Sequence, residues 1–272
     1  EEAPETERRT AISPELHEEL RAAGLYRMLV PRRFGGYEFG LDTFFRVIVE
    51  ISRGDPGIGW NLCLASAHVF HVASFYCERA QAELFAPDGH FCAPHRAAPT
   101  GTASPVEGGY RVSGRWFYAS GAPYATLFTA NAVLEEDGKE IIRAFAFTPD
   151  QVEINRDWGA FGLKGTASHT IAVHDAFVPE ERAFTVGDPR WPVDDPVAAA
   201  LYRIPFDVFA VTTIASVSVG LARRFFELAR ELLRWETLGP RQRQAEAVAE
   251  HRSLFYLLAE RAWSHAVAGR EF

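Results

Sequence analysis

In RWFYASGAPYA, residues 115–125, a small hydroxyl, Ser120, follows the aromatics Trp116, Phe117 and Tyr118 and precedes Gly121. Two readings fit. Ser120 ends a buried strand and bonds back to its own backbone, or it aims at one atom of a flat aromatic ligand lying against Ser120 and Gly121. His68 and His71 stand three residues apart in SAHVFHV. A neutral imidazole can act as a general base; a core histidine bonded to a carbonyl is the plainer alternative. The i, i+3 spacing without a carboxylate nearby is poor for a metal. Arg203 in LYRIPF is a cation among Tyr202, Ile204, Pro205 and Phe206, a setting that calls for a paired group or a held anion. DWGAFGLKGTASH combines Trp158, a glycine-rich turn and the hydroxyls of Thr166 and Ser168. Its backbone N–H groups at Gly165 and Thr166 could meet ligand oxygens or a phosphate; a plain loop between strands is the alternative. No GxGxxG occurs, so this is not a Rossmann dinucleotide site.

These residues must be positioned by three kinds of segment. The first ninety residues have helical periodicity. Ser13-Pro14 and Asp55-Pro56 are cap-then-proline starts, Asp42 is expected to cap TFFRVIVEIS, and GIGWNLCLASAHVFHVASF reads as one buried helix, apolar nearly all round. LVPRRFGG is a turn-rich link. Beyond residue 90, GGYRV, RWFYAS, TLFTANAVLE, IIRAFAFT, VEIN and SHTIAVHDAFV read as short strands between turn residues, with Ser113-Gly114 suited to a tight hairpin. Helical periodicity returns from about residue 199 in FAVTTIASVSVGLARRFFELARELLRW and QAEAVAEHRSLFYLLAERAWSHAV. The expected domains are helical over 1–90, β over 91–185 and a partial helical bundle over 186–272.

With 47% hydrophobic residues over 272 positions, the chain can bury one large core or several smaller ones. Its net charge of -8, from 28 Lys plus Arg against 36 Asp plus Glu, argues against nucleic acid or an anionic membrane as partner. Three cysteines, Cys63, Cys77 and Cys92, lack metal spacing and imply a reduced, cytoplasmic protein. No run of about 18 apolar residues and no signal peptide is seen. The chain has no initiator Met and stops inside a helical pattern at AVAGREF, so it reads as part of something longer.

LVPRRFGG, GDPGIGWNLCLASAH, PTGTASPVEGGYRVSGRWFYASG, DWGAFGLKGTASHTIAVHDAFVPEER and LYRIPF, in that order, resemble the acyl-CoA dehydrogenase superfamily. Within it the chain is most similar to the flavin-dependent monooxygenases of two-component systems. The resemblance implies an α+β fold: N-terminal helices, a middle antiparallel β-barrel or sandwich, and a C-terminal helical bundle. It implies reduced flavin, FMNH2 or FADH2, supplied by a separate NAD(P)H-flavin reductase. With O2 and a C4a-hydroperoxyflavin, an aromatic or heteroatom-bearing small molecule is hydroxylated. Ser120 would meet the flavin N5 edge between Ala119 and Gly121, and Trp158 would cover one ring face. Gly165, Thr166 and Ser168 would meet flavin oxygens or phosphate. His68 would face the substrate, His71 would be structural, and Arg203 would face the flavin pyrimidine edge or the peroxide. Assembly as a homotetramer is implied too. Two departures stand out: Tyr124 lies in APYA where relatives often carry a His, and GTAS replaces the usual GTGS. The rivals are an FAD-dependent acyl-CoA dehydrogenase, whose catalytic glutamate is missing from FAVTTIASVSVGLARRFF, and a non-catalytic ligand-binding relative.

Overall fold

The computed structural model describes residues 2–136, 138–187 and 200–237, with side chains to residue 234. Six helices come first: α1 Ala3–Arg9, α2 Pro14–Ala22, α3 Leu41–Gly54, α4 Pro56–Ala67, α5 Val69–Phe75 and α6 Glu78–Leu84. Two of their starts follow the sequence signals. The Ser13 hydroxyl accepts from the Leu16 N–H at 3.0 Å, and the Asp55 carboxylate accepts from Gly57 and Ile58 at 2.7 and 3.0 Å. Asp42 lies inside the first turn of α3, whose cap position is Gly40; there it complements the helix dipole rather than capping.

The expected single buried helix is broken. His68 ends α4 and precedes α5, its ring turned to the backbone of Ala93. α4 is nonetheless central. α3 lies against it so closely that a Cβ on Gly59 would sit 2.0 Å from the Ser52 hydroxyl oxygen. Any other residue at position 59 would push the two helices apart.

Seven strands follow: β1 His95–Val106, β2 Gly109–Ala119, β3 Phe128–Glu136, β4 Lys139–Phe147, β5 Glu153–Asn155, β6 His169–Pro179 and β7 Ala183–Thr185. They form one sheet in the order β5-β6-β2-β1-β3-β4-β7. The sheet is mixed rather than antiparallel throughout, because β1 pairs with β3 in parallel. β1 itself, HRAAPTGTASPV, reads as loop by composition; its pairing on both edges overrides that. The β1–β2 hairpin turns at Glu107-Gly108, where Gly108 has φ 76°. Ser113-Gly114 is not a hairpin turn. It lies inside β2 at a bulge against β6, and the Asp175 N–H donates to the Ser113 hydroxyl at 2.9 Å.

Two apolar cores result, one among the helices around Phe44, Leu62, Phe70 and Phe91, one on the sheet around Trp116, Phe128, Phe145 and Phe147. The last described helix, α7 Phe206–Thr237, spans two compact units, Glu1–Gly220 and Leu221–Phe272. In the first unit α7 buries Phe209, Thr213, Ser216 and Val217. In the described part of the second, Leu228 is buried while Phe225, Phe226 and Leu233 are exposed. By length and composition Phe206–Arg234 could cross a membrane; Phe209 and Val217 pack into the helical core, while Val208, Val211, Ile214 and Val219 are exposed. The second bundle helix expected in QAEAVAEHRSLFYLLAERAWSHAV lies outside the described residues.

Candidate functional site

Ser120 sits where β2 leaves the sheet. Between Trp116, paired with Ile171, and Ala119, paired with His169, β2 carries one more residue than β6. That bulge puts Tyr118 at φ 64° and leaves Phe117 and Tyr118 exposed between buried Trp116 and Ala119. The aromatic run therefore divides: Trp116 anchors the strand, with its Nε1–H donating to the Asn131 carbonyl at 2.8 Å, and the next two rings form a rim.

Behind that rim the Ser120 hydroxyl joins a chain of polar groups. Trp60 Nε1–H donates to Ser120 Oγ at 3.1 Å. Ser120 Oγ lies 2.8 Å from Ser168 Oγ, which lies 2.6 Å from Thr166 Oγ1. A hydroxyl oxygen has two lone pairs and one hydrogen. Trp60 occupies one lone pair of Ser120. If Ser168 donates to Ser120, the Ser120 hydrogen is left to donate elsewhere; if Ser120 donates to Ser168, a lone pair is left to accept. The chain can thus present either polarity at Ser120 by reversing its hydrogens, with no heavy atom moving.

Gly121 follows at φ 77°, its N–H donating to the Thr166 carbonyl at 2.8 Å. A Cβ there would sit 2.4 Å from Asn61 Oδ1, so a larger residue would displace the Asn61 amide as well as strain the backbone. The Asn61 Nδ2 group is buried without an acceptor. Thr166 and Ser168 are buried in the same network, while Gly165 is covered by Thr6 of α1, whose methyl lies 2.2 Å from where a Cβ would be. Half-buried Trp158 is tied down by its Nε1–H to the Lys164 carbonyl at 2.9 Å and its N–H to His169 Nδ1 at 3.2 Å. Its ring stands edge-on to Tyr118 at 6.0 Å.

The structure groups the histidines differently from the sequence reading. His68 Nδ1 is 2.7 Å from the Ala93 carbonyl oxygen, so it carries the hydrogen and donates. Burial pushes the His68 pKa down to about 4, against the opposing effect of that bond. That is the core histidine of the plainer reading. It is His71, expected to be structural, that lines a cavity of about 310 Å³ with His95, Asn131, Phe75, Phe184 and Phe206. The His71 and His95 rings are 4.2 Å apart. Burial first, then the neighbouring imidazoles, hold both well below the usual histidine range. They are neutral bases at physiological pH. Among the described residues no His, Cys, Asp and Glu cluster could hold a metal.

Arg203 is exposed at the end of the 3-10 turn Ala200–Arg203. The buried residue of that turn is Tyr202, whose hydroxyl donates to the Leu29 carbonyl at 2.8 Å and whose carbonyl accepts from Ser74 at 2.9 Å. LYRIPF thereby sends Pro205 and Phe206, rather than its cation, into the cavity wall. The sequence reading missed Trp60, Asn61, His95 and Asn131. Trp60 and Asn61 had a weak signal, since they follow the cap at Asp55; His95 and Asn131 had none, because only strand pairing brings them together.

A flavin fits the Ser120 region. A hydroxyl with one open hydrogen-bonding position, an orphaned buried amide at Asn61, and the exposed aromatics Phe117 and Tyr118 suit a flat ring with polar edges.

Residues 1–88 match the family "Acyl-CoA dehydrogenase, N-terminal domain". The chain is 29% identical over 226 residues to "Flavin-dependent monooxygenase, oxygenase subunit HsaA" of Rhodococcus jostii, covering 82% of this chain and 59% of the relative. It is 30% identical over 282 residues to "Indole-3-acetate monooxygenase" of Pseudomonas putida, covering 97% and 70%. The solved 3-HSA hydroxylase from Rhodococcus sp. RHA1 superimposes with a TM-score of 0.81 at 27% identity, over 88% of this chain and 63% of that one. The chain thus spans less than two thirds of the first of these relatives and of the solved structure. Descriptions, sequence coverage and fold agree: the chain belongs to the acyl-CoA dehydrogenase superfamily, among its flavin-dependent monooxygenases.

Proposed function

We propose that this chain carries the flavin and substrate walls of a two-component monooxygenase oxygenase. It takes reduced flavin, FMNH2 or FADH2, from a separate NAD(P)H-flavin reductase and uses O2 to hydroxylate an aromatic or heteroatom-bearing small molecule. Bound reduced flavin supplies the two electrons and activates the oxygen. The observation that carries the reading is the hydroxyl chain Thr166–Ser168–Ser120 closed by Trp60. With its hydrogens directed toward Thr166, Ser120 offers a lone pair to the flavin N5–H and holds that proton in place. With the order reversed it offers its hydrogen, as a dehydrogenase requires, so the relatives' common activity is what favours oxygenation. Buried Trp116 and Ala119 shield the chain from the sheet side, and Trp158 stands ready as a ring cover.

The reading includes a homotetramer, supported by the exposed Phe225, Phe226 and Leu233 of α7, and a cytoplasmic setting, supported by the unpaired thiols of Cys63, Cys77 and Cys92. The test is turnover of the complete enzyme with its reductase under isotopically heavy oxygen, with the assembly weighed by light scattering. Label entering product only when reduced flavin is supplied is expected. An α,β-unsaturated thioester formed without label would establish the dehydrogenase instead.

A further inference from the structure

We infer that His95, held in one tautomer by Thr129, accepts the hydrogen bond of the substrate's ring hydroxyl or ring N–H, a role the family resemblance implies for His68. The inference rests on the monooxygenase reading for its reaction but on the cavity alone for its ligand.

Thr129 Oγ1 lies 3.3 Å from the Pro94 carbonyl oxygen and 3.0 Å from His95 Nδ1. We assign the threonine hydrogen to the carbonyl, which can only accept, so that His95 Nδ1 carries a hydrogen and donates to Oγ1. That leaves Nε2 of His95 with a lone pair. His95 lines the cavity and, unlike His68 and His71, retains partial exposure.

Asn131 adds a second acceptor. Its Nδ2 donates to the Ala97 carbonyl at 2.9 Å, which fixes the amide orientation and leaves Oδ1 buried without a partner. Buried polar atoms in that state are uncommon and costly; a donor-bearing ligand relieves the cost. The walls are flat and apolar: Phe75 and Phe184 stack at 4.3 Å and 10°, and Phe206 lies 4.0 Å from the His71 ring. Asp207 is the charged residue of the lining, and no Lys or Arg joins it among the described residues. Such a slot takes a neutral flat ring that donates hydrogen bonds at one end, and it disfavours a carboxylate there. His68 holds the same tautomer through Ala93, but it is not part of this wall.

The test is equilibrium binding of a phenol and of its methyl ether, which lacks the donor, to the complete flavin-loaded enzyme without oxygen. The parent should prefer the phenol, and His95→Phe should weaken phenol binding about tenfold while leaving the ether unchanged. Thr129→Val, which frees the imidazole to change tautomer, should reduce the preference by a smaller factor. His68→Asn, which keeps a donor for Ala93, should leave it intact. If His95→Phe does not fold, Thr129→Val decides by the same ratio. An unchanged phenol-to-ether ratio in the His95 and Thr129 variants, or one that collapses in the His68 variant, overturns the inference. A His95-dependent preference in an enzyme that incorporates no oxygen would refute the proposed function and leave this inference standing.

Discussion

The rim at Ser120 and the slot at His95 solve opposite problems. At Ser120, short side chains from β2 and the turn before β6 satisfy one another almost completely, and the chain keeps one open position whose polarity can reverse. At His95, groups from α5, β1, β3 and α7 surround an apolar space and leave polar atoms unmet. The first arrangement carries no titratable group in its hydroxyl chain and is indifferent to pH. The second keeps His71 and His95 neutral by burial, with His68 buried beside them, and is sensitive to it. A site that handles reactive reduced cofactor and a neutral aromatic needs both: a polar contact that adapts without moving, and an apolar slot that waits for its donor.

The largest way to break the contrast is acid. His68, His71 and His95 have folded-state pKa values below the ordinary histidine value. Folding therefore favours their neutral forms. Above about pH 6.5 both folded and unfolded chains are neutral at these positions and stability is complete. As pH falls below that, the unfolded chain takes up protons first and stability is lost, down through the folded value of about 4 for His68. His68 alone accounts for about 3 kcal/mol over that window. Urea unfolding midpoints measured against pH should show the slope, and His68→Asn should remove its share. A His68→Asn profile parallel to the parent's would mean that the imidazole is hydrated.

Gly121→Ala should come next, costing about 2 kcal/mol, because it places a side chain both at φ 77° and against Asn61. Its effect should fall on the rim, leaving the phenol preference of the slot in place. Thermal unfolding within a degree of the parent would show that α4 can withdraw from the turn.

Ser120→Ala should have the smallest effect on stability, within about 1 kcal/mol, since Trp60 loses one bond while Ser168 keeps Thr166. Its functional effect should be selective: hydrogen peroxide release relative to product rises about threefold to tenfold, the worth of one hydrogen bond. Equal coupling of oxygen use to product in variant and parent would remove Ser120 from proton holding at N5.

The composition and periodicity of the chain by themselves determined the sequence of helices, strands and helix, because burial on one face imposes a repeat of 3.6 or 2 along the chain. Local residue types also determined the caps at Ser13 and Asp55, while the grouping of Ser120 with Thr166 and Ser168 came through the family resemblance. Only the tertiary structure decided the rest. β1 is a strand because β2 and β3 pair with it, though its own prolines and small residues argue for a loop. Which histidine meets the cavity depended on a break in the helix at His68 that no periodicity marks. The tautomer of His95 depended on Thr129, 34 residues away and adjacent only through a parallel pairing. Local propensity is written in neighbours along the chain, whereas the direction of a hydrogen bond is set by partners that the fold alone brings within reach.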